Sequence, residues 1–279
     1  MDTTLLDLNT SLMYKSRKFV ISNLKIKTVE QILKNKVVIV TGASKGIGAG
    51  IAREAAAAGA KVVVNYSSSK EGADQVVNEI TSQGGLAIAV QGDMSKKQDV
   101  QNLFRVTKEI YGKVDTVINN AGVYEFAPIE LFDEDSYRRM FDINVLGILL
   151  TSQEAVRAFG KKGGSIVNIT SYAGTRPDPY SIVYGASKAA ADALTISMSQ
   201  ELGPKNIRVN SVRPGGVYTE GVKKLGLEID SESITETVKR SALGRMAIPE
   251  DIGKMAVFFA SDQSSIITGQ TVEVSGGYK

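Results

Sequence analysis

Four consecutive aliphatic residues, Val37-Val38-Ile39-Val40, run directly into the turn Thr41-Gly42-Ala43-Ser44-Lys45-Gly46-Ile47-Gly48, and this junction constrains the fold more than any other stretch. An unbroken apolar run of this kind fits a strand covered on both faces. A helical stretch over 51–58, closed by Gly59, and a second strand over 61–65 follow. Strand, helix and strand in that order pack as a parallel pair with a right-handed crossover. The glycines at the crossover are spaced G-x-x-x-G-x-G, unlike the G-x-G-x-x-G of the usual dinucleotide site. The physics is shared. Glycine lets the backbone approach a pyrophosphate, and the helix that follows offers free N–H groups and the positive end of its dipole. A glycine-rich turn that holds nothing would look the same, but its place immediately after the first strand favours phosphate binding.

The alternation continues along the chain. Helical patterns over 73–82, 98–111, 136–159, 181–202 and 249–260 alternate with apolar runs over 86–90, 116–119, 165–169, 208–212 and 270–274. Seven strands, most preceded by a helix, predict an α/β fold. It is a single Rossmann-like, doubly wound domain over residues 32–279, with a seven-stranded, largely parallel sheet and helices on both faces. Residues 216–248 break the pattern and read as a substrate-binding lid. Residues 1–31 are Lys-rich with Asp2 and Asp7 near the start and lack the apolar stretch of a secretory signal. Ile26, Val29, Ile32 and Leu33 have helical spacing there, yet the segment reads first as a flexible extension, with Met13 as a second candidate start.

Composition narrows the chemistry. There is no cysteine and no histidine, which excludes thiolate nucleophiles, Ser-His-Asp hydrolysis and imidazole or thiolate zinc sites. No metal is expected. The 33 basic and 30 acidic residues leave a net charge of +3, too small and too evenly spread for a nucleic-acid footprint. No apolar run approaches the ~18 residues that would span a bilayer. A cysteine-free chain fits a reducing compartment, and a cytoplasmic location is expected. Acid–base chemistry near neutral pH must therefore use Tyr, Lys or a carboxylate. Tyr184 and Lys188 are four apart in a helical pattern, which puts them on one face. A cation beside a phenol lowers a pKa that starts near ~10, giving a candidate acid/base for carbonyl or alcohol chemistry.

The cofactor choice rests on the end of the second strand. An NAD site would carry Asp or Glu there for the ribose 2′-hydroxyl. Here Asn65, Tyr66 and Ser67 follow one another, and no carboxylate repels a 2′-phosphate. Lys45, within the turn that also holds Ser44 and Ile47, can pair with one, so NADP(H) is preferred and NAD(H) remains possible. Asp93, followed by Met94, can accept from an adenine amino group or cap the next helix. Asn120, Ala121 and Gly122 of the N-N-A-G stretch lie at the sheet's carboxyl edge, where ligands bind in this architecture.

T-G-x-x-x-G-x-G, N-N-A-G, Asn144, Ser171, Y-x-x-x-K (Tyr184, Lys188) and P-G (Pro214, Gly215) stand in the order of the short-chain dehydrogenase/reductase superfamily, which the chain resembles over roughly residues 33–277. Ser275 stands where many members have Asp. The resemblance implies that Tyr184 protonates the carbonyl oxygen in reduction and that Lys188 lowers its pKa and binds the nicotinamide ribose. It implies that Ser171 polarises the substrate oxygen and that Asn144 holds a water linking Lys188 to solvent. Pro214, Gly215, Val217 and Thr219 would cover the nicotinamide. The partner is a small carbonyl or alcohol substrate, with no nucleic acid and no membrane. The specificity loops would be 123–128, 172–180 and the lid, with Tyr124, Phe126, Tyr172, Tyr180 and Tyr218 as aromatic surface and Arg176 for an acidic group or for solvent.

The V-N-Y-S-S-S and P-G-G-V stretches are similar to those of 3-oxoacyl-carrier-protein reductases, glucose 1-dehydrogenases and polyketide naphthol reductases. A 3-oxoacyl thioester, another small ketone and a sugar all stay open as substrates. A catalytically silent dinucleotide-binding regulator is the non-enzyme alternative. The small residues at 186–193 imply a helix-paired homotetramer, a dimer of dimers.

Overall fold

The structure, a computed structural model, describes residues 31–224 and 232–278. Seven strands form one sheet: β1 Val37–Val40, β2 Lys61–Tyr66, β3 Leu86–Gln91, β4 Thr116–Asn119, β5 Gly164–Ile169, β6 Ile207–Pro214 and β7 Thr271–Val274. Their order is β3-β2-β1-β4-β5-β6-β7, and every pair is parallel. Chain direction along the sheet reverses between β1 and β4, the place where open α/β sheets bind ligands. Side chains of β1 alternate between layers. Val38 and Val40 join a cluster with Ile51, Val76 and Phe259, whereas Ile39 joins Leu103, Ala155 and Ile207 on the other face.

The helices among the described residues are α1 Gly46–Ala57, α2 Lys70–Ser82, α3 Lys97–Tyr111, α4 Glu134–Phe141, α5 Gly147–Phe159, α6 Ile182–Leu202, α7 Glu220–Lys224, α8 Glu232–Arg240 and α9 Pro249–Ala260. Helix α1 begins five residues before the sequence pattern implies. Glycines make Gly46–Gly50 look like loop, but close packing outweighs their weak propensity: a Cβ on Gly50 would stand 2.4 Å from the Pro249 ring. The expected helix over 136–159 is two helices, joined by a π-helical turn at Asp142–Leu146. The helical spacing at Ile32 and Leu33 is realised as a turn, with Asn35 at φ +64° and Leu33 fully buried. Ile26 and Val29 lie outside the described residues.

The stretch read as a lid contains two helices, α7 and α8, and its two ends are tied together. Val217 bridges Ala247, the Tyr218 N–H donates to the Ala247 carbonyl at 2.8 Å, and the Ala247 N–H donates to Gly216 at 3.1 Å. Residues 225–231 lie outside the description. No described helix is long and apolar enough to cross a membrane.

Candidate active site

The glycine turn is built against N-N-A-G. Gly42 has φ +61°, and a Cβ there would stand 2.8 Å from Ala121 Cα. Thr41 completes the joint: its hydroxyl accepts from the Asn120 and Ala121 N–H groups, both at 2.9 Å. The Asn120 amide donates to the Thr41 and Gly42 carbonyls at 2.9 and 3.0 Å. Asn120 thus braces the turn. Gly46, at φ +56°, places its α-carbon where a methyl group would meet Thr219 at 3.8 Å, so the start of the lid faces the turn. Ile47 and Val217 both pack against the same core cluster. Helix α1 has no side-chain cap at its N-terminus, and Lys45 is exposed and outside every ion pair among the described residues. Uncapped N–H groups, positive-φ glycines and a free cation suit an anionic pyrophosphate with a further phosphate nearby.

Two expected cofactor residues do other work. Asn65 is 1% exposed, and its side chain accepts from the Gly42 N–H at 3.1 Å and donates to the Val90 and Gly92 carbonyls at 3.3 and 3.0 Å. Both amide hydrogens are used internally, so the Asn65 side chain clamps the turn to β3. Tyr66 is buried as well, while Ser67 is exposed beyond it. Asp93 accepts from the Ser95 N–H at 3.0 Å and hydroxyl at 2.7 Å, with Lys96 at 3.8 Å. These bonds close a local turn next to buried Met94 and do not cap α3, whose N-cap is Lys96 without a side-chain cap. Ser44 is half-buried, its carbonyl 2.7 Å from where a Cβ on Gly72 would stand.

Four residues expected to carry the chemistry come together at the carboxyl end of β4 and β5. Ser171 follows β5, its oxygen accepts from the Ala173 N–H at 3.2 Å, and its hydroxyl acts on the Tyr184 phenol by pulling its pKa down. Tyr184 sits in the first turn of α6. One turn on, Lys188 donates to the Ile169 carbonyl at 3.1 Å, with its nitrogen 5.8 Å from the centre of the Tyr184 ring. Asn144 lies on the π-helical turn, 1% exposed, and its side chain exchanges two 2.9 Å hydrogen bonds with the Val123 backbone and donates to Ser187 at 3.0 Å. Gly122 is the meeting point. A Cβ there would stand 3.2 Å from Asn144 Oδ1 and 3.4 Å from Lys188 Nζ. Pro214 ends β6 beside them, and Gly215 packs so closely on Ser275 that a Cβ would meet it at 2.6 Å.

The electrostatics correct one expectation. Burial pushes the Tyr184 phenol above its usual range, Ser171 pulls it down, and the neighbouring Tyr124 adds to the rise. Lys188 was expected to lower it. Instead burial pushes Lys188 itself down to about 8, against the opposing pull of Asp192. Water removed from both groups outweighs their attraction across this distance.

Tyr124 and Phe126 form an aromatic corner on the phenol. Their rings lie 6.2 and 6.0 Å from the Tyr184 ring, both edge to face, and 5.6 Å from each other. They are 61% and 57% exposed. Arg176 pairs with Glu273 at 2.7 Å instead of waiting for an acidic substrate group. Sequence reasoning missed the tie between lid and body. Arg240 of α8 reaches Asp178 at 3.3 Å and stacks 4.3 Å over the Tyr278 ring, and Asp178 also takes the Tyr172 hydroxyl. It also missed the buried Asp192–Arg213 pair at 2.9 Å, although Asp192 follows Lys188 at the same spacing as Lys188 follows Tyr184.

Comparisons with known proteins agree with this architecture. A family model described as enoyl-(acyl carrier protein) reductase matches residues 42–279. An uncharacterized oxidoreductase of Methylorubrum extorquens is 47% identical over 247 residues, spanning 88% of this chain and 99% of the relative. The 3beta-hydroxysteroid dehydrogenase 1 of Eggerthella lenta is 38% identical over 248 residues, 88% and 94% of the two chains. Among solved structures, a short-chain dehydrogenase from Burkholderia cenocepacia in complex with NADP superposes with a TM-score of 0.81 at 33% identity, covering 88% of this chain and 98% of that one.

Proposed function

The chain belongs to the short-chain dehydrogenase/reductase family and is an NAD(P)-dependent oxidoreductase, and from that premise we propose that it reduces a ring ketone with NADP(H), using Tyr184 as the acid. The observation that carries the reading is the junction of Tyr184, Ser171, Lys188 and Asn144 around Gly122, at the edge where the glycine turn opens. The bound dinucleotide supplies the hydride. Tyr184, held protonated by burial, gives its proton to the carbonyl oxygen. Ser171 polarises that oxygen. Lys188 refills the phenol through the polar path that Asn144 closes against Val123. Gly42, Gly46, Gly48 and the uncapped end of α1 hold the pyrophosphate, and exposed Lys45 meets the 2′-phosphate.

The aromatic corner at Tyr124 and Phe126 favours a flat ring ketone over a 3-oxoacyl thioester or a sugar, because two exposed aromatic rings beside the phenol stack on planar or fused-ring apolar surface. The steroid dehydrogenase activity named for the Eggerthella lenta relative is in keeping with this. Pairing between copies is also proposed. Ile182, Ala186, Ala189, Ala193 and Ile196 form an exposed stripe on α6, and Leu146 and Leu149 are exposed beside the start of α5, which suits a tetramer.

The test follows NADPH absorbance with cyclic, acyclic and thioester ketones. Turnover of cyclic ketones that Tyr184→Phe abolishes while NADPH binding persists supports the proposal. Turnover that survives Tyr184→Phe overturns the mechanism, and a preference for thioesters overturns the substrate class. A monomeric mass at micromolar concentration overturns the tetramer.

A further inference from the structure

Tyr184, Lys188 and Asp192 are spaced i, i+4 and i+8 on α6, so they lie along one face with about 6 Å of helix rise between successive members. Asp192 is 7% exposed, too buried to be a solvated surface acid. Its Oδ2 meets Arg213 at 2.9 Å, and its Oδ1 accepts from the Ser211 hydroxyl at 3.3 Å. The turn Tyr172–Gly174 covers it, since a Cβ on Gly174 would stand 3.1 Å from Asp192 Oδ2. Arg213 approaches with a single nitrogen, and its Nε has no hydrogen-bond partner. The pair is therefore not the two-pronged fork that neutralises a carboxylate most fully.

We propose that Asp192 is a positioning residue of this site, a buried counter-charge one turn behind Lys188 whose pull on the ammonium is set by Arg213. The proposal rests on the catalytic reading of Tyr184 and Lys188 given above. Lys188 faces Tyr184 and Asp192 from its own helix. From β5, Lys188 meets the Ile169 carbonyl. The loop after β4 brings Gly122, and the π-helical turn brings Asn144. None of these last groups titrates. From β6, Arg213 acts through Asp192, and its register partner on β7, Glu273, is taken by Arg176. Asp192 is thus the carboxylate that offsets the loss of water around Lys188. Removing its charge makes the ammonium easier to deprotonate. Removing the Arg213 charge leaves Asp192 less compensated and makes the ammonium harder to deprotonate.

The experiment reads the alkaline limb of kcat/KM for NADPH-supported ketone reduction in the full-length chain. Asp192→Asn is expected to move its midpoint down by at least about half a pH unit, and Arg213→Gln to move it up by a similar amount. Asp192→Glu, which keeps the carboxylate, is expected to stay near the parent midpoint. A purely structural ion pair would give both charge-removing variants the same loss of stability and no opposed shifts. Shifts in the same direction, or none, overturn the proposal. If Asp192→Asn does not fold, Arg213→Gln against Arg213→Lys decides it, because only the first removes the charge. Activity surviving in Tyr184→Phe would instead overturn the underlying mechanism, whatever the Asp192 variants do.

Discussion

Gly48 and Asn120 approach so closely that a methyl group at position 48 would stand 2.4 Å from the Asn120 amide nitrogen and 2.4 Å from the Gly42 carbonyl oxygen. The glycine turn and the strand end that carries N-N-A-G are therefore one joint. Gly48→Ala forces that joint apart. Overpacking of this kind costs about 1–3 kcal/mol. Thermal unfolding is expected to fall accordingly, and NADPH titration to lose at least an order of magnitude in affinity, while Gly84→Ala, with open space around its α-carbon, leaves NADPH affinity unchanged.

The proposed cofactor preference is tested at Lys45. Exposed and free of ion pairs among the described residues, it has a charge to give to a 2′-phosphate. Lys45→Ala is expected to raise KM for NADPH about tenfold, the worth of one charge-assisted contact, and to leave KM for NADH nearly unchanged. Initial rates with both cofactors check it, and equal effects would assign the 2′-phosphate to another residue.

Lys188 makes stability depend on pH in a definite direction. Its amine is held at about 8 in the folded chain, against the 10.5 ordinary for lysine. Between those values the unfolded chain binds the extra proton, so this group's contribution to stability rises as pH rises from 8 to 10.5. At pH 7 the buried ammonium is a net cost. Lys188→Met is expected to be inactive yet more stable than the parent at pH 7, by up to about 3 kcal/mol less the lost bond to Ile169. The gap closes by pH 10.5. Urea unfolding of both chains across that range reads it, and a pH-independent gap would contradict it.

Asn144 ties the loop that carries the aromatic corner to the π-helical turn. Its side chain exchanges two hydrogen bonds with the backbone of Val123, which precedes Tyr124 of the aromatic corner. Asn144→Ala leaves a buried N–H and carbonyl unpaired, a loss of about 1–3 kcal/mol each at most. The expected result is a lower melting temperature together with a weaker preference for cyclic over acyclic ketones. A variant that keeps that preference would detach Asn144 from the corner.

The sheet and the pairing of Tyr184 with Lys188 were legible because both rest on local patterns. Apolar runs define buried strands, and Tyr184 and Lys188 share a helix face by spacing alone. What was not legible depends on where hydrogen bonds go. Nothing in the sequence around Asn65 shows that its amide is shared between Gly42, Val90 and Gly92. The stretch 136–159 has one continuous helical pattern, and the π-helical turn at Asn144 arises from that residue's bonds to Val123 and Ser187, from outside the helix. The sign of the electrostatic shift at Tyr184 depends on burial, which spacing does not encode. Asp192 was overlooked although its spacing was visible, because nothing local showed that its partner would be Arg213 on a strand 21 residues later.

The sheet order sets a timetable for synthesis. Strand β1 pairs with β2 on one side and with β4 on the other, Val38 facing Thr116. The Thr41 hydroxyl, which shapes the glycine turn, takes its partners from Asn120 and Ala121. A ribosome adding roughly 5–20 residues per second needs several seconds to travel that far, so the nascent turn waits unbraced while α1, β2, α2, β3 and α3 emerge. The dinucleotide can therefore serve the finished sheet by mass action but cannot template its first half. Early folding of this chain depends on apolar packing of β1, β2 and β3 against α1 and α2, and a lesion there would be beyond rescue by cofactor.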